Sequence, residues 1–445
     1  MRKYTRYLLV VFAGVLIIAM TALLSGIYVK RMDRDAAAWQ AEKKTDTGNP
    51  EDETGDTETR NAETEAGDAE AGNAEADTGS TEAENAETDT GNTEAENEES
   101  ENTETDTGIS GKDAEETPSA EPTEEIVLRD PDRIIDTSTT LYSYEMMQED
   151  LHYLAKVYPD IVRLYSAGTT EDGRDLSYVI FGDPAAPRQI YICAGTHARE
   201  YMTPQLVMRQ LAYYCTEYDT GSYQGIPYRE LFRNTCFYVE PMVNPDGISI
   251  SQFGEAALRR EDLRQNLRAI FQSDLSAGFA ETPDYAAYLV RWKANALGVD
   301  INRNYSPGWE TVTERSVPSS TFYKGPAPGS ERETQAQMAI IESMPNPLMA
   351  LSYHSYGDLV YWQYGQPEPL WSENQALAQH ISNMTGQYLA GYSNEAGFSN
   401  WCILEKHLKS VTVETGTVPA PLPLSQFAEL WEEHRLIWAM LAAVY

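Results

Sequence analysis

Histidine and glutamate side chains stand at the ends of three apolar segments of the chain, where strands of a sheet would terminate. These residues are His197, Glu200, His354 and Glu414. An imidazole and a carboxylate three residues apart, joined by a second imidazole, supply the nitrogen and oxygen ligands that Zn²⁺ takes in catalytic sites. A further carboxylate beside such a metal can act as a general base. The four residues predict a metal site of two histidines and one glutamate, with a separate glutamate base.

A second group of residues could bind a carboxylate. The segment 299–304 carries Arg303 between Asn302 and Asn304, and it is predicted to follow a short apolar strand. A planar guanidinium beside amides is a good receptor for a carboxylate, because its fork donates two charge-assisted hydrogen bonds. The turn-prone tetrapeptide 244–247 (N-P-D-G) is interpreted as a structural turn instead.

Apolar segments alternate with amphipathic ones from Ile126 onwards. The predicted strands are 161–166, 177–181, 189–194, 236–243, 348–353 and 410–414. The predicted helices include 143–157 with Ser143 as its N-cap, 204–214, and a charged helix at 255–271. This alternation predicts an α/β domain with a mixed, mostly parallel central sheet and helices on both faces. The carboxyl ends of such strands meet at one edge, where chemistry gathers.

The segment 7–29 contains 23 residues without a charge and has basic residues on both sides. At about 1.5 Å per residue, a helix of this length spans the roughly 30 Å hydrocarbon core of a bilayer. A cleaved signal peptide is the alternative, but its apolar stretch usually has about 7–15 residues. The sequence therefore predicts one uncleaved transmembrane anchor, with residues 1–6 in the cytoplasm and the remainder outside the cell.

The acidic residues of the chain are concentrated in one region. Residues 51–125 hold 28 of the 70 acidic residues and two basic ones, so they carry most of the net charge of −37. Between residues 40 and 108 there is no aliphatic residue larger than alanine and no aromatic residue. Such an acidic stretch cannot form a core, and 30–125 is predicted to be a disordered spacer. A specific acidic docking site is the alternative. The remaining domain, 126–445, is only mildly acidic, and nothing indicates a nucleic-acid partner.

The four cysteines are too few for a disulfide framework, although an exported domain could form one or two bridges. Cys193 and Cys236 lie within apolar strand segments. We interpret these two as buried thiols.

Five motifs occur in a characteristic order within residues 126–445. They are H-A-R-E after a strand, N-P-D-G, G-V-D-I-N-R-N, H-S-Y and a final strand ending in V-E-T-G. This order resembles the zinc carboxypeptidase A-like (funnelin) metallopeptidases, in a bacterial, membrane-anchored form. The resemblance implies one Zn²⁺ per catalytic domain, held by His197, Glu200 and His354. It also implies that Glu414 is the general base.

The resemblance further assigns residues to substrate binding. Asn302 and Arg303 would hold the terminal carboxylate of the substrate, and Arg199 would assist in binding. Tyr392 matches the mobile tyrosine of the family that closes over bound substrate. Ser399 stands at the base of the specificity pocket, where a small neutral residue gives no sign of a charged floor for a basic C-terminal residue.

Two features differ from the pancreatic-type members of that family. A long insert separates Asp246 from Lys293. Lys293 itself stands where those enzymes carry an arginine that polarises the scissile carbonyl. A lysine still supplies positive charge to the developing oxyanion, but without the guanidinium fork. The run W-K-A-N before G-V-D is similar to bacterial relatives that cut γ-D-glutamyl-diaminopimelate bonds.

We therefore expect a monomeric zinc metallocarboxypeptidase that hydrolyses the C-terminal peptide bonds of extracellular peptides and is tethered to the cell membrane. A peptidoglycan stem-peptide peptidase is the first alternative, since a stem peptide ending in diaminopimelate also has a free carboxylate. A catalytically inactive surface binding module is the second. It predicts a lost ligand or base, and the sequence retains all four of these residues.

Overall fold

The computed structural model of the chain describes residues 127–393 and 395–445. The predicted membrane anchor at 7–29 and the predicted acidic spacer at 30–125 lie outside the described residues, so both stay predictions. Among the described helices, none has both the length and the apolar character needed to cross a bilayer.

The centre of the described domain is a mixed sheet of eight strands. The strands within the described residues are β1 (Val162–Thr169), β2 (Asp175–Phe181), β3 (Arg188–Ala194), β4 (Ser222–Tyr223), β5 (Ile226–Pro227), β6 (Thr235–Glu240), β7 (Pro347–His354), β8 (Leu359–Tyr361), β9 (Tyr388–Leu389) and β10 (Lys409–Glu414). The sheet has the order β1-β2-β6-β3-β7-β10-β8-β9, and β4 and β5 form a separate pair. Its four central strands, β6, β3, β7 and β10, run parallel. The predicted mixed, mostly parallel sheet is confirmed.

Helices cover the sheet on both faces. They are α1 (Tyr144–Val157), α2 (Met202–Thr216), α3 (Tyr228–Leu231), α4 (Pro245–Phe253), α5 (Glu261–Ser276), α6 (Tyr285–Val290), α7 (Arg332–Ser343), α8 (Leu370–Thr385), α9 (Phe398–Leu404), α10 (Phe427–His434) and α11 (Ile437–Val444). Alternate residues of β3 point to opposite faces. Accordingly, Ile190 and Ile192 pack in a cluster with α1, α2, α8 and α11. Tyr191 and Cys193 pack in a second cluster with α7 and α9.

The four cysteines of the chain are buried and free. Burial raises the pKa of Cys193 and of Cys236 to about 12, so both are neutral thiols at neutral pH. The interpretation of these two residues as buried thiols is confirmed.

The helix predicted at 143–157 is confirmed, including its cap, since the Ser143 hydroxyl accepts a hydrogen bond from the backbone N–H of Met146 at 3.2 Å. The helix predicted at 255–271 is wrong in its start. A short 3₁₀ turn covers Glu255–Ala257, and α5 begins only at Glu261. The cause is Asp172, a buried carboxylate that accepts hydrogen bonds from the backbone N–H groups of Arg259 and Arg260 at 2.7 and 2.9 Å.

The tetrapeptide 244–247 is structural, as interpreted, but it begins helix α4 instead of forming an isolated turn. Asn244 is the N-cap, and its Oδ1 accepts a hydrogen bond from the backbone N–H of Gly247 at 2.9 Å. A proline at the first helical position fits this role. The Asn244 amide also donates to the backbone carbonyls of Thr196 and Ala294, at 3.1 and 3.0 Å. The motif therefore fixes two loops of the candidate site.

The short strand expected before Val299 does not form. Asn295 Oδ1 accepts hydrogen bonds from the backbone N–H groups of Leu297 and Val299, both at 3.0 Å. A side chain that binds nearby backbone in this way competes with strand pairing. The segment turns instead and continues into a 3₁₀ helix at Ile301–Arg303.

Candidate metal centre

Three of the predicted residues converge at the carboxyl edge of the central sheet. His197 and Glu200 lie in the loop after β3, and His354 is the last residue of β7, the parallel neighbour of β3. One potential ligand atom from each residue lies within 4.8 Å of the other two. All three side chains are buried. Parallel pairing of β3 and β7 thus brings together residues that are more than 150 positions apart in the sequence.

The potential metal-ligand atoms of this cluster face one another. Nδ1 of His197 lies 2.9 Å from Oε1 of Glu200, and Nδ1 of His354 lies 3.1 Å from Oε2 of the same carboxylate. The two Nδ1 atoms are 3.0 Å apart. Burial opposes ionisation of Glu200, but the two histidines hold its pKa below the ordinary value. Two imidazole nitrogens and one carboxylate that converge in a buried position fit the ligand set of a catalytic Zn²⁺ site.

Asp300 supports this cluster from the outside, although sequence reasoning does not single it out. Its Oδ1 lies 3.2 Å from Nε2 of His197, the ring nitrogen turned away from Glu200. Burial opposes ionisation of Asp300, but Lys293 and His197 outweigh it and hold its pKa well below the ordinary value. Metal-binding histidines commonly donate their second ring N–H to such a carboxylate. The sequence signal that could have identified Asp300 is its position in the same motif as Asn302.

Replacing Asp300 with Asn should weaken zinc binding by about 10- to 100-fold, the usual effect of losing the outer partner of a ligating histidine. An amide holds the imidazole of His197 less firmly and leaves the buried ammonium of Lys293 without a carboxylate. Competition with a chelator of known affinity measures the change. Asp219→Asn is the matched control, since Asp219 forms an exposed ion pair with Arg229. Equal zinc affinity in the two variants would contradict the supporting role.

Glu414 lies beside the cluster at the end of β10. It is the register partner of His354 on β7, so neighbouring strands carry the two side chains side by side. The backbone N–H of Thr415 donates to the carbonyl of His354 at 2.8 Å and extends this pairing. Burial and the nearby Glu200 carboxylate raise the pKa of Glu414 well above its ordinary value, against the opposing effect of His197. A carboxyl group perturbed in this way suits proton transfer.

Lys293 is buried in the same site, and both its side chain and its backbone are held by neighbouring residues. Its ammonium donates to Oδ2 of Asp300 at 2.8 Å and lies 4.6 Å from the ring centroid of Phe322. Its backbone N–H donates to the carbonyl of Ser320, and its own carbonyl accepts from Ala198, both at 3.0 Å. Lys293 is therefore connected to the metal-site loop directly and to His197 through Asp300.

The long insert supports Lys293 from behind. Asp274, a buried residue of α5, accepts hydrogen bonds at its Oδ2 from Tyr288, from the hydroxyl of Ser319 and from the backbone N–H of Ser320. These contacts measure 2.7, 2.9 and 3.0 Å in that order. Because Ser320 in turn holds the backbone of Lys293, the insert is part of the framework of the site.

A pocket opens next to Glu414. It is lined by Asn302, Tyr361, Tyr364, Ser393, Glu395, Gly397, Ser399, Asn400, Thr412 and Glu414. The Asn302 amide oxygen accepts a hydrogen bond from the backbone N–H of Phe398 at 3.0 Å, which ties it to the start of α9. Arg303 is buried, and its Nη2 donates to Oε2 of Glu395 at 2.8 Å. Asn302 therefore lines this pocket, and Arg303 lies behind it, bonded to the lining residue Glu395. Their roles as carboxylate-binding residues stay predictions.

The floor of the pocket consists of neutral hydroxyl groups. Ser399 Oγ lies 3.0 Å from the hydroxyls of both Ser410 and Thr412. Tyr364 donates to Thr412 at 3.0 Å. Ser399 thus lines this pocket and brings no charge to it. Its predicted role at the base of a specificity pocket stays a prediction. The carboxylate on the wall, from Glu395, is not identified by sequence reasoning.

Two predicted substrate-binding residues lie apart from this group. Arg199 is half-buried, and its Nη1 lies 3.5 Å from the carbonyl of Arg291 in a second pocket that the insert helps to line. Tyr392 is 60 % exposed, pairs through its backbone with Gln363, and is not among the described residues lining the pocket beside Glu414. The roles assigned to Arg199 and Tyr392 stay predictions.

Solved structures share this fold. Thrombin activatable fibrinolysis inhibitor aligns with a TM-score of 0.53 at 19 % sequence identity, covering 70 % of this chain and 77 % of that one. Carboxypeptidase A from Helicoverpa armigera aligns with a TM-score of 0.51 at 20 % identity, covering 70 % and 76 %. At such identities the likeness establishes the fold.

Curated sequences extend the comparison. γ-D-Glutamyl-L-diamino acid endopeptidase 1 of Lysinibacillus sphaericus is 28 % identical over 308 residues, which cover 68 % of this chain and 72 % of that protein. Carboxypeptidase B of Astacus astacus is 27 % identical over 315 residues, which cover 66 % and 93 %. The family model for zinc carboxypeptidase matches residues 147–436. This match spans well over half of the chain and includes every residue of the candidate metal centre, so the chain belongs to the zinc carboxypeptidase family of Zn²⁺-dependent peptidases.

Proposed function

We propose that this protein is a metallocarboxypeptidase that removes the C-terminal residue of extracellular peptides. The observation that carries this proposal is Arg303, a buried guanidinium beside the pocket that Glu414 lines. A guanidinium in this position can anchor a free carboxylate with two charge-assisted hydrogen bonds. Anchoring the end of the chain there places the last peptide bond near the metal cluster.

His197, Glu200 and His354 would hold the metal ion through two Nδ1 atoms and a carboxylate. A zinc ion bound there supplies Lewis acidity, which polarises a peptide carbonyl and makes water acidic enough to ionise near neutral pH. Glu414 accepts the proton of the attacking water and then delivers it to the nitrogen of the leaving amine. Lys293 supports the negative charge that develops on the carbonyl oxygen.

The remaining residues would bind the substrate. Asn302 and Arg303 hold its terminal carboxylate, and Ser399 contributes to the floor of the pocket for its last side chain. Arg199 contacts the part of the peptide before the scissile bond, and Tyr392 closes over the bound end. The exposure of Tyr392 is compatible with a side chain that moves.

A second candidate substrate is a cell-wall stem peptide with a γ-D-glutamyl–diamino acid bond. The similarity to the endopeptidase of Lysinibacillus sphaericus, 28 % identical over 308 residues, supports this candidate. A stem peptide that ends in a diamino acid also offers a free carboxylate to Arg303. The two candidates therefore share the same hydrolytic step and differ in the chain that precedes the bond.

We also propose that the protein is held at the outer side of the cell membrane and acts as a monomer. The uncharged segment 7–29 and the acidic composition of 30–125 support the location. Protease treatment of intact cells provides a test, because an exposed domain is released and an internal one is protected.

Purified, zinc-loaded full-length protein tests the proposed activity on three substrates. These are a peptide with a free C-terminal carboxylate, the same peptide with a C-terminal amide, and purified muropeptides. We expect release of the last residue from the free peptide, with kcat/KM about 10- to 100-fold lower for the amide, which loses a charged hydrogen-bond partner. Equal cleavage of free and amidated peptides would contradict the carboxylate anchor. Cleavage of the muropeptides alone would select the second candidate.

A further inference from the structure

Glu395 is a charged residue on the wall of the specificity pocket, just before helix α9. Its side chain is 49 % exposed, whereas that of its partner Arg303 is only 6 % exposed. Among the described residues that line this pocket, the acidic ones are Glu395 and Glu414, and none is a lysine or an arginine. The floor formed around Ser399 is neutral. Any discrimination by charge must therefore come from the wall.

The present hydrogen bonds of Arg303 limit how it can bind the carboxylate of a substrate. Its Nη1 donates to the backbone carbonyl of Asn302 at 3.0 Å, and its Nη2 donates to Glu395 at 2.8 Å. The Nε of Arg303 is buried and has no partner among the described residues. A substrate carboxylate bound to this guanidinium must share or displace the carboxylate of Glu395. Substrate binding thus brings two negative groups to one arginine.

Lys293 does not line this pocket. The ammonium of Lys293 is already bonded to the buried carboxylate of Asp300 at 2.8 Å. With a carboxylate bound, Arg303 has two carboxylates beside it, that of the substrate and that of Glu395. An ammonium on the substrate side chain would offset the excess and give the released Glu395 a new partner.

We infer that Glu395 selects substrates whose terminal residue carries a side-chain amine, as in lysine, ornithine and related diamino acids. The inference rests on the proposed function, because it takes Arg303 as the site of the terminal carboxylate. Binding exchanges partners: the substrate carboxylate takes the guanidinium, and Glu395 takes the substrate ammonium. The hydroxyl groups of the floor accept a polar side chain without selecting its charge. A substrate whose last side chain is uncharged leaves Glu395 without a partner and next to the negative charge of the substrate carboxylate.

Two substrates that differ only in the amine test this inference. Benzoyl-glycyl-lysine and benzoyl-glycyl-norleucine are similar in length, and norleucine lacks the amine. We expect the zinc-loaded full-length enzyme to favour the lysine substrate by about tenfold in kcat/KM, the low end for a hydrogen bond to a charged group. Acetylation of the lysine side chain should remove this preference without any change to the protein.

The variant Glu395→Gln should lower kcat/KM for the lysine substrate by about tenfold. It should raise kcat/KM for the norleucine substrate, because the amide no longer competes for Arg303 with a full charge. Glu405→Gln is the matched control: it removes the same charge at the C-terminal end of α9, outside the pocket lining. We expect its substrate ratio to equal that of the wild type.

The possible outcomes separate the inference from the function on which it rests. If the wild type with bound zinc cleaves none of the peptides or muropeptides, the proposed function is wrong. If it cleaves them but Glu395→Gln keeps the wild-type ratio, the selectivity inference is overturned. An equal loss for both substrates would also overturn it, since that result would mean that Glu395 only positions Arg303.

Discussion

Replacing Glu414 with Gln is expected to lower kcat by about 10² to 10⁴-fold, the range that a general base contributes. Glutamine keeps the size of the side chain at the end of β10 but cannot accept the proton of the attacking water. It should leave bound zinc unchanged, because the converging ligand atoms come from His197, Glu200 and His354. Steady-state hydrolysis of the benzoyl-glycyl-lysine substrate measures the rate, and elemental analysis of the dialysed protein measures the zinc.

Two outcomes would contradict the assignment of Glu414 as the general base. Retained turnover would mean that another group takes the proton. Loss of zinc would mean that Glu414 belongs to the ligand set. Glu405→Gln again serves as the control, because it makes the same chemical change on the exposed surface and should keep both activity and zinc.

Replacing His354 with Ala is expected to remove the metal together with the activity. The substitution deletes one of the two Nδ1 donors and the 3.1 Å contact to Glu200. Loss of an outer partner alone costs about 10- to 100-fold in metal affinity, so loss of a ligand should cost more, and zinc after dialysis should fall below about one tenth of an equivalent. Activity should fall at least as far as in Glu414→Gln.

The two variants form a matched pair, because His354 and Glu414 are register partners on neighbouring strands. Both should be inactive, but only His354→Ala should be free of zinc. His380→Ala is the control for the histidine, since His380 lies on α8, where its ring contacts Tyr445 rather than the metal cluster. Near-stoichiometric zinc in His354→Ala would show that His354 is not a ligand.

Six of the eight strands of the sheet and the metal cluster could be predicted, because both are marked by local patterns. Apolar segments of strand length predict β3, β7 and β10, and parallel pairing requires their carboxyl ends to meet at one edge. His197, His354 and Glu414 stand at those ends in the sequence itself. Their convergence follows from the topology, and the structure adds the distances between them.

Other parts depend on pairs of distant residues that no local pattern marks. Asp172 delays the start of α5 by binding backbone more than 80 residues away. Asp300 looks like any acidic residue until its two oxygens are seen between His197 and Lys293. Glu395 becomes a pocket residue only because its segment folds over Arg303. In each case the function of a carboxylate is set by the partner that the fold brings to it.

The pairing of β7 with β10 fixes the spacing of two site residues independently of part of the pocket lining. Neighbouring strands lie about 4.8 Å apart, so the backbone ladder itself fixes the spacing between His354 and Glu414. Part of the pocket lining comes from α9 and the residues just before it, which lie outside that ladder. Substitutions in that stretch change the lining of the pocket without altering the pairing that spaces His354 and Glu414. We therefore expect that substrate preference can be engineered in that stretch while the metal site is retained.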